Sequence, residues 1–455
     1  MSERIVILGA DAAGMSAAHQ MLRTARRTGR ELAVTVLEKG AHTSYSACGI
    51  PYWMAGDVDS VDDLVARAPA QHLEAGIDLR MGAEAVGVDL AARRVELAAG
   101  EPVGYDQLVV ATGAHPIVPD WAYGADGRLV GGVGPVKTLD DGEEWLRRFS
   151  AAGPGSHVVV VGGGYIGLEV AEAALRRGFG VTLVTRSRVM SSLEQELSDH
   201  VALTLTRAGV EVVLDADVTG LDVSQGRAAA VRWDGGGREC DLVVLALGVL
   251  PATEFLAGSG LELGEKGALR PDPHGRVADR VWAAGDCCET FRRLAADHVF
   301  RPLGTHANKM GRVLGDRLAG GSLAFDGILE TAITRFAAGG QYVEVARTGL
   351  SLDDARAADY DPVAVTTSGS TASGYLDEAD PVEVWVMADR ASRRLLGVQI
   401  VGGRGAGKRI DTAAAVLWAE GAVDDLAWMD LSYAPPFSTA WEVLGLAARR
   451  AAERL

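Results

Sequence analysis

The pattern of hydrophobic and polar positions repeats one unit twice along the chain. In residues 4–22 and again in residues 157–177, a short β-branched run leads into a glycine-rich turn and then an Ala-rich stretch with helical spacing. A second apolar run follows each unit, at residues 32–37 and 181–184. This order predicts two β-α-β units, and in each the N-terminus of the helix faces a dinucleotide. In the first unit the predicted helix covers residues 13–23.

The pattern changes in the last third of the chain. Apolar runs at residues 242–247 and 281–284 predict buried strands that end at Gly248 and Gly285. Beyond residue 326, alternating strands at 342–346, 382–387 and 395–401 precede helical stretches at 409–419 and 441–450. We therefore predict an α/β fold with two Rossmann-like domains and a C-terminal α+β domain. The predicted ranges are 1–117 and 248–326 for the first nucleotide domain, 118–247 for the second and 327–455 for the last.

Composition narrows the classes of partner. The 455 residues carry a net charge of −17, which argues against nucleic-acid or anionic-membrane binding, so any anionic ligand must be held locally. Four cysteines without metal-ligand spacing favour a reducing cytoplasm, and no metal site is expected. No apolar run approaches the roughly 20 residues of a membrane span, and no signal peptide precedes the first strand.

The first glycine turn, Gly9-Ala-Asp-Ala-Ala-Gly14, keeps the outer glycines of the dinucleotide fingerprint but has Asp11 in place of the middle one. Glu38 ends the next strand, where its carboxylate can accept from both hydroxyls of an adenosine ribose. A dinucleotide phosphate would then lie at the helix N-terminus. The alternative is an ordinary strand-turn-helix with a chance acid.

The second glycine turn has all three glycines, Gly162, Gly164 and Gly167, in register. Where a ribose-binding acid would end the next strand, the chain has Thr185 followed by Arg186 and Arg188. A missing carboxylate with two nearby guanidinium groups favours a 2′-phosphate and predicts NADPH over NADH. The alternative is that both arginines are solvated and that NADH serves as well.

Cys48 lies in the segment Ser44-Tyr-Ser-Ala-Cys-Gly-Ile-Pro-Tyr52 directly after the first nucleotide unit. Many flavin-dependent disulfide reductases have a second redox cysteine, with four residues between the two. Trp53 occupies that position here, so no disulfide can form within the loop. A lone thiolate can attack a disulfide to form a mixed disulfide, or cycle through sulfenic acid. The alternative is a small buried hydrophobe, which we predict for Cys240, while Cys287 and Cys288 are predicted to pack beside a cofactor.

These motifs together resemble the coenzyme A disulfide reductases and their relatives, the NADH oxidases and peroxidases. The resemblance covers nearly the whole chain and is carried by residues 9–14, 46–52, 108–113, 162–167, 283–287, 346–350, 408–411 and 433–438. It implies a glutathione-reductase-like fold, FAD in the first site beside Asp286, NAD(P)H in the second, and a homodimer formed by the last domain.

The resemblance also assigns roles to residues. Cys48 is the implied redox centre, and Tyr433 and Tyr375 reach the partner subunit's thiol, although Leu376 stands where the family has a second tyrosine. The implied contacts of coenzyme A are Gln20, Arg23, Ser44, Arg67 and Lys309. With the motifs above, the implied cofactor-binding residues are Gly9, Ala12, Ala13, Gly14, Glu38, Lys39, Ser46, Ala111, Thr112, Gly113, Gly285 and Asp286 for FAD, and Gly162, Gly164, Tyr165, Ile166, Gly167, Glu169, Thr185, Arg186, Arg188 and Gly248 for NAD(P)H.

We therefore expect an FAD-dependent NAD(P)H:disulfide oxidoreductase that reduces a small disulfide, coenzyme A disulfide first, through Cys48. Ala12 stands where oxidases and peroxidases of the family place a histidine, which favours thiol over peroxide chemistry. The alternatives are a water- or peroxide-forming oxidase, a persulfide or polysulfide reductase, a reductase for a ferredoxin-like protein, and an FAD-binding redox sensor. Relatives that reduce persulfides often carry a further sulfurtransferase domain, for which no room is expected after Leu455.

Overall fold

The first nucleotide unit forms the centre of a six-stranded sheet in the computed structural model, which describes residues 2–455. Its strands are parallel apart from one antiparallel edge pair, because the β-branched runs are buried between helices on both faces. In spatial order they are Arg276–Ala278, Val281–Ala283, Gln107–Val110, Glu3–Leu8, Leu32–Glu38 and Ile77–Met81.

A second parallel sheet is built from the second nucleotide unit. Its five strands lie in the order Val210–Val213, Gly180–Val184, His157–Val161, Leu242–Leu245 and Val133–Pro135. Smaller ladders are formed by Ala85–Asp89, Arg94–Leu97 and Val103–Gly104, by Val218–Ser224, Arg227–Trp233 and Gly236–Glu239, by Ala114–Pro116 with Val249–Pro251, and by Thr290–Arg292 with Asp297–Val299. Both predicted β-α-β units are thus present.

The α-helices follow the strands of both sheets and continue into the C-terminal region. Along residues 2–455 they are α1 (Ala12–Thr28), α2 (Ile50–Ala55), α3 (Pro69–Glu74), α4 (Leu139–Ala152), α5 (Tyr165–Arg176), α6 (Gln195–Arg207), α7 (Gly304–Leu318), α8 (Leu352–Ala357), α9 (Ile410–Trp418), α10 (Val423–Trp428) and α11 (Val443–Ala452). α1 extends five residues beyond the predicted end and stops at Gly29, whose φ of 69° is left-handed. No helix among residues 2–455 is long and apolar enough to cross a membrane.

The C-terminal region is an antiparallel five-stranded sheet with helices, which confirms the predicted α+β class. Its strands lie in the order Ala332–Ala338, Gln341–Gly349, Leu395–Gly402, Pro381–Asp389 and Pro362–Ser370. The sequence pattern predicted the three central strands but not the two edge strands. Edge strands bury only alternate side chains, so their apolar signal is weak, and Pro362 begins one of them.

Candidate functional site

The first glycine turn forms a tight cradle at the start of α1. Gly9 has a φ of +100°, and a Cβ at Gly14 would lie 1.9 Å from the Gly9 carbonyl oxygen, so a side chain is excluded at both positions. The Glu38 carboxylate accepts hydrogen bonds from the backbone N–H of Ala10 at 2.8 Å and of Gly40 at 2.7 Å. A fixed carboxylate and an open helix N-terminus fit the ribose and pyrophosphate of FAD.

Asp286 follows the strand Val281–Ala283, which is the second strand from Glu3–Leu8 in the sheet, and this strand end lies against the same turn. A Cβ at Gly285 would lie 2.7 Å from Cβ of Ala13, so this strand end contacts the start of α1 closely. The Asp286 carboxylate pairs with the Lys137 ammonium at 3.5 Å. Burial raises the pKa of nearby Asp11 to about 6, so its carboxyl group takes up a proton more readily than an exposed aspartate.

The remaining predicted FAD positions lie around this cradle. Ala12 and Ala13 open α1, Ala111 is buried directly after the strand Gln107–Val110, and Lys39 and Ser46 are exposed. The Thr112 hydroxyl donates to the Ala252 carbonyl at 2.7 Å. Gly113 has a φ of +71°, which allows the chain to turn away from the cradle.

The second glycine turn has the same construction and an open face. Gly162 has a φ of +115°, and a Cβ at Gly167 would lie 1.9 Å from the Gly162 carbonyl oxygen. No atom lies within 4 Å of a Cβ at Gly164, so this position is free for the approach of a phosphate. Tyr165 and Ile166 begin α5 directly after it, which fits the pyrophosphate of NAD(P)H.

The two arginines beyond this turn differ in their surroundings. Thr185 is buried and Arg186 is exposed, whereas the Arg188 guanidinium donates to the Leu193 carbonyl at 2.8 Å. Arg188 is therefore engaged by its own loop, and Arg186 is the arginine whose guanidinium is free to meet a phosphate. Gly248, with a φ of +96°, follows the neighbouring strand of the same sheet.

Cys48 lies in a single 3-10 turn, Ala47–Gly49, immediately before α2, and is exposed. Trp53 is 8% exposed and fills the position where a second thiol would be needed. Cys240, Cys287 and Cys288 are buried, and the sulfurs of the last two lie 3.7 Å apart without a bond. Cys48 is therefore the one cysteine of the described chain that a substrate can reach.

The surroundings of Cys48 favour the thiol over the thiolate. The protein displaces water around this sulfur and raises its pKa, the negative charge of Glu169 acts in the same direction, and Lys137 opposes it. Burial in turn raises the pKa of Glu169 to about 7, although Thr334 donates to its carboxylate at 2.7 Å and Tyr52 at 3.4 Å. Thus a carboxyl group that titrates near neutral pH lies within electrostatic range of the reactive sulfur.

A groove of about 560 Å³ is lined by α1 and by the segment before Cys48, of which Ser46 is two residues away in sequence. It brings together all five predicted coenzyme A contacts: Gln20, Arg23, Ser44, Arg67 and Lys309. It also contains His19 and Arg312, which sequence analysis missed because their contribution depends on which faces of α1 and α7 meet. The groove contains four arginine and lysine side chains and one acidic side chain, Asp11. The groove is therefore positively charged, although the molecule as a whole is strongly acidic.

The predicted tyrosines lie on the C-terminal domain. Tyr375 is 75% exposed and Tyr433 is 53% exposed. Four further aromatic side chains of that domain are also exposed: Trp418, Trp428, Phe437 and Trp441. No cluster of three or more His, Cys, Asp or Glu side chains suited to a metal ion occurs within residues 2–455.

Comparison with known proteins places the chain in a family. Residues 3–309 match the family model "Pyridine nucleotide-disulphide oxidoreductase", and residues 341–444 match the dimerisation domain of that family. The chain is 34% identical to a protein of Pyrococcus horikoshii named NAD(P)H coenzyme A polysulfide/persulfide reductase, with 99% of this chain and 98% of that protein covered. It is 28% identical to a protein of Methanocaldococcus jannaschii named NADH oxidase, with 99% of each covered.

A solved structure has the same fold. The crystal structure of reduced Bacillus anthracis CoADR-RHD superposes with a TM-score of 0.92 at 27% identity, covering 100% of this chain and 80% of that chain. The names of the two sequence relatives differ in substrate, but both give a nicotinamide coenzyme and a redox reaction. The chain belongs to the pyridine nucleotide-disulphide oxidoreductase family and is an NAD(P)H-dependent flavoprotein oxidoreductase.

Proposed function

We propose that the protein reduces a low-molecular-weight disulfide, coenzyme A disulfide in particular, with NADPH as electron donor and Cys48 as the redox centre. The observation that carries the proposal is the joint presence of an exposed solitary thiol and a cationic groove that is lined by the segment directly before it in sequence, Ser44 to Ser46. On a chain of net charge −17, a local cluster of arginine and lysine side chains indicates a phosphorylated ligand.

We assign different residues to the binding of each of the two coenzymes. Glu38 and Asp286 hold FAD at the first turn, and Gly164 and Arg186 hold NADPH at the second. Bound FAD supplies a carrier for the electron pair between NADPH and Cys48. The exposed Arg186 supports NADPH over NADH because a guanidinium pairs with a 2′-phosphate, which NADH lacks.

The substrate step belongs to Cys48. The thiol first loses its proton, and its raised pKa makes an acceptor necessary. Among the carboxylates that act on Cys48, Glu169 has the largest effect and titrates near neutrality, so it is the proposed acceptor. The Cys48 sulfur then attacks one sulfur of the disulfide, the disulfide bond breaks, and the second half leaves as a thiolate. An electron pair that originates from NADPH then cleaves the mixed disulfide, which restores Cys48 as a thiolate and releases the half of the substrate bound to it as a thiolate that takes a proton from water.

The leaving thiolate requires a proton, and we propose that Tyr433 of the opposite subunit donates it. The match to a dimerisation domain and the exposed aromatic side chains of the C-terminal domain support a homodimer. Tyr375 is the second candidate of this kind. It lies in the loop between the strands Pro362–Ser370 and Pro381–Asp389.

Two other activities could use the same sulfur, and specific features rank them behind disulfide reduction. An oxidase that cycles through sulfenic acid gains nothing from a cationic groove, and Ala12 at the start of α1 has no group that transfers a proton. A persulfide is attacked by the same chemistry as a disulfide, and the name of the 34% identical relative makes it the second candidate substrate class.

Steady-state assays of wild type and Cys48→Ser test the proposal. We expect NADPH to reduce the FAD of both proteins, and only wild type to turn over coenzyme A disulfide. Oxygen uptake in the absence of disulfide measures the oxidase activity, and coenzyme A persulfide replaces the disulfide in a parallel assay. Disulfide reduction that survives Cys48→Ser, or that is slower than oxygen uptake, contradicts the proposal.

A further inference from the structure

Two histidines contact each other at the wall of the groove. His19 of α1 and His72 of α3 lie 2.8 Å apart, measured from Nε2 of His19 to Nδ1 of His72. Their ring centroids are 5.1 Å apart and the rings are inclined by 51°. His19 lines the groove, whereas His72 is 0% exposed, so the pair connects the groove surface to the protein interior.

The buried end of the pair fixes the positions of its protons. A neutral imidazole carries one N–H, so one ring donates and the other accepts. Nε2 of His72 is buried and has no hydrogen-bond partner within residues 2–455. A buried N–H without an acceptor is rarer in proteins than a buried acceptor without a donor. We therefore assign the proton of His72 to Nδ1, from which it donates to Nε2 of His19.

This assignment leaves His19 with its proton on Nδ1. That atom has no hydrogen-bond partner among residues 2–455, and the ring is part of the groove wall, so one neutral N–H donor is available to a ligand. Burial, Arg67, His72 and Arg23 lower the pKa of His19 to about 4, and burial with Arg67 lowers that of His72. Both rings are therefore neutral at pH 7.

We propose that His19 is a ligand-contacting residue whose Nδ1–H donates to a phosphate oxygen of the substrate, and that His72 is the positioning residue that holds this tautomer. The identity of the substrate rests on the proposed function, whereas the anion site itself does not. Arginine and lysine side chains attract any anion, but an N–H fixed on a ring selects an acceptor at one place. His19 thus supplies selectivity while Arg23, Arg67, Lys309 and Arg312 supply charge.

The neutral state persists when a ligand is bound. A phosphate beside His19 raises the pKa of the imidazole from its value of about 4 in the free protein. The positive charges of Arg23 and Arg67 oppose that increase. His19 therefore takes up no proton with the ligand near pH 7. We expect titration of His19 to contribute no pH dependence to the dissociation constant near pH 7, so that any dependence seen there comes from Asp11 and from the phosphate, which both titrate near pH 6.

The test is calorimetric titration of adenosine 3′,5′-bisphosphate into the FAD-loaded protein. His19→Asn keeps a donor near the position of Nδ1, whereas His19→Gln moves it to the position of Nε2. We expect binding within about 3-fold of wild type for His19→Asn and about 10-fold weaker for His19→Gln, because a hydrogen bond to a charged group is lost. His72→Leu is expected to weaken binding in the same way, and His72→Asn, which keeps a donor, to restore it.

Thermal midpoints of all four variants separate loss of binding from loss of folding. For coenzyme A disulfide, His72→Leu is expected to raise KM and leave kcat unchanged, which a merely structural role would not do. Equal affinities of His19→Asn and His19→Gln, or no binding of the bisphosphate to wild type, would overturn the assignment. If wild type binds the bisphosphate but does not reduce coenzyme A disulfide, the proposed function is wrong and the histidine assignment stands.

Discussion

At the scale of single residues, Arg186 tests the choice of coenzyme. Its exposed guanidinium is free to pair with a 2′-phosphate, so Arg186→Ala should raise KM for NADPH about 10- to 100-fold and change KM for NADH less than about 2-fold. Arg188→Ala is the matched control. Because Arg188 bonds the Leu193 carbonyl, its loss should affect both coenzymes alike. Equal effects of Arg186→Ala on the two KM values would defeat the NADPH prediction.

Glu169 is expected to influence the reactivity of the Cys48 sulfur. Its negative charge raises the pKa of Cys48, so Glu169→Gln should lower that pKa and increase the rate of alkylation by iodoacetamide at pH 8. The sign is fixed: above about pH 7 Glu169 is charged in wild type, and the difference between the proteins should vanish as pH falls below that value. Cys48→Ser shows whether the alkylated group is Cys48. An unchanged alkylation rate would contradict this role of Glu169.

Local sequence revealed some of these residues and left others hidden. Cys48, Gly162 and Arg186 follow from motifs because their roles depend on neighbours within one turn. The coupling of Glu169 to Cys48 joins helix α5 to the turn before α2, and His72 meets His19 across 53 positions of sequence. Such contacts are created by tertiary packing, which the periodicity of a single segment does not encode.

At the scale of secondary-structure elements, the close packing of α1 on α7 carries a stability prediction. A Cβ at Gly311 would lie 2.1 Å from the Ala13 carbonyl oxygen, and one at Gly315 would lie 2.2 Å from that of Ala17. Gly311→Ala must therefore separate the helices and should lower the free energy of unfolding by about 1–3 kcal/mol. Gly304→Ala, in the same helix with no atom within 4 Å, should change it by less than about 0.5 kcal/mol. Chemical denaturation measures both.

The same helix pair shows what the pattern of elements could predict. The strand and glycine signals of residues 4–14 and 157–167 were strong enough to define both nucleotide units. α7 was missed because Gly311 and Gly315 weaken its helical signal, yet these glycines are what admit α1. The edge strands of the C-terminal sheet were not predicted because only alternate side chains along them are buried, which leaves a weak apolar signal. The domain boundaries at 117, 247 and 326 stay predictions.

At the scale of the whole molecule, the surface of the C-terminal domain supports the proposed homodimer. The chain exposes a group of aromatic side chains on its C-terminal domain: Tyr375, Trp428, Tyr433, Phe437 and Trp441. Trp428 and Trp441 lie edge to face with centroids 6.4 Å apart. An apolar surface of this kind on a charged molecule favours association with a second copy through the same face.

A mixed dimer tests whether each site is completed by the opposite subunit. Cys48→Ser dimers lack the sulfur, and Tyr433→Phe dimers lack the proton donor and should reduce disulfide at least about 100-fold more slowly. When equal amounts of the two proteins are mixed and their subunits exchange, half of the dimers are hybrids. One of the two sites in each hybrid combines Cys48 from one chain with Tyr433 from the other. Disulfide reduction should then recover to about a quarter of the wild-type rate.

The recovery depends on geometry alone, which makes the outcome decisive. If Tyr433 acted on Cys48 of its own chain, neither site of a hybrid would hold both groups, and the mixture would be no faster than the average of its parents. Reduction of FAD by NADPH serves as the control, because it needs neither Cys48 nor Tyr433 and should be equal in parents and hybrids. A mixture that stays slow despite proven subunit exchange therefore excludes the shared site while leaving the sulfur chemistry of Cys48 intact.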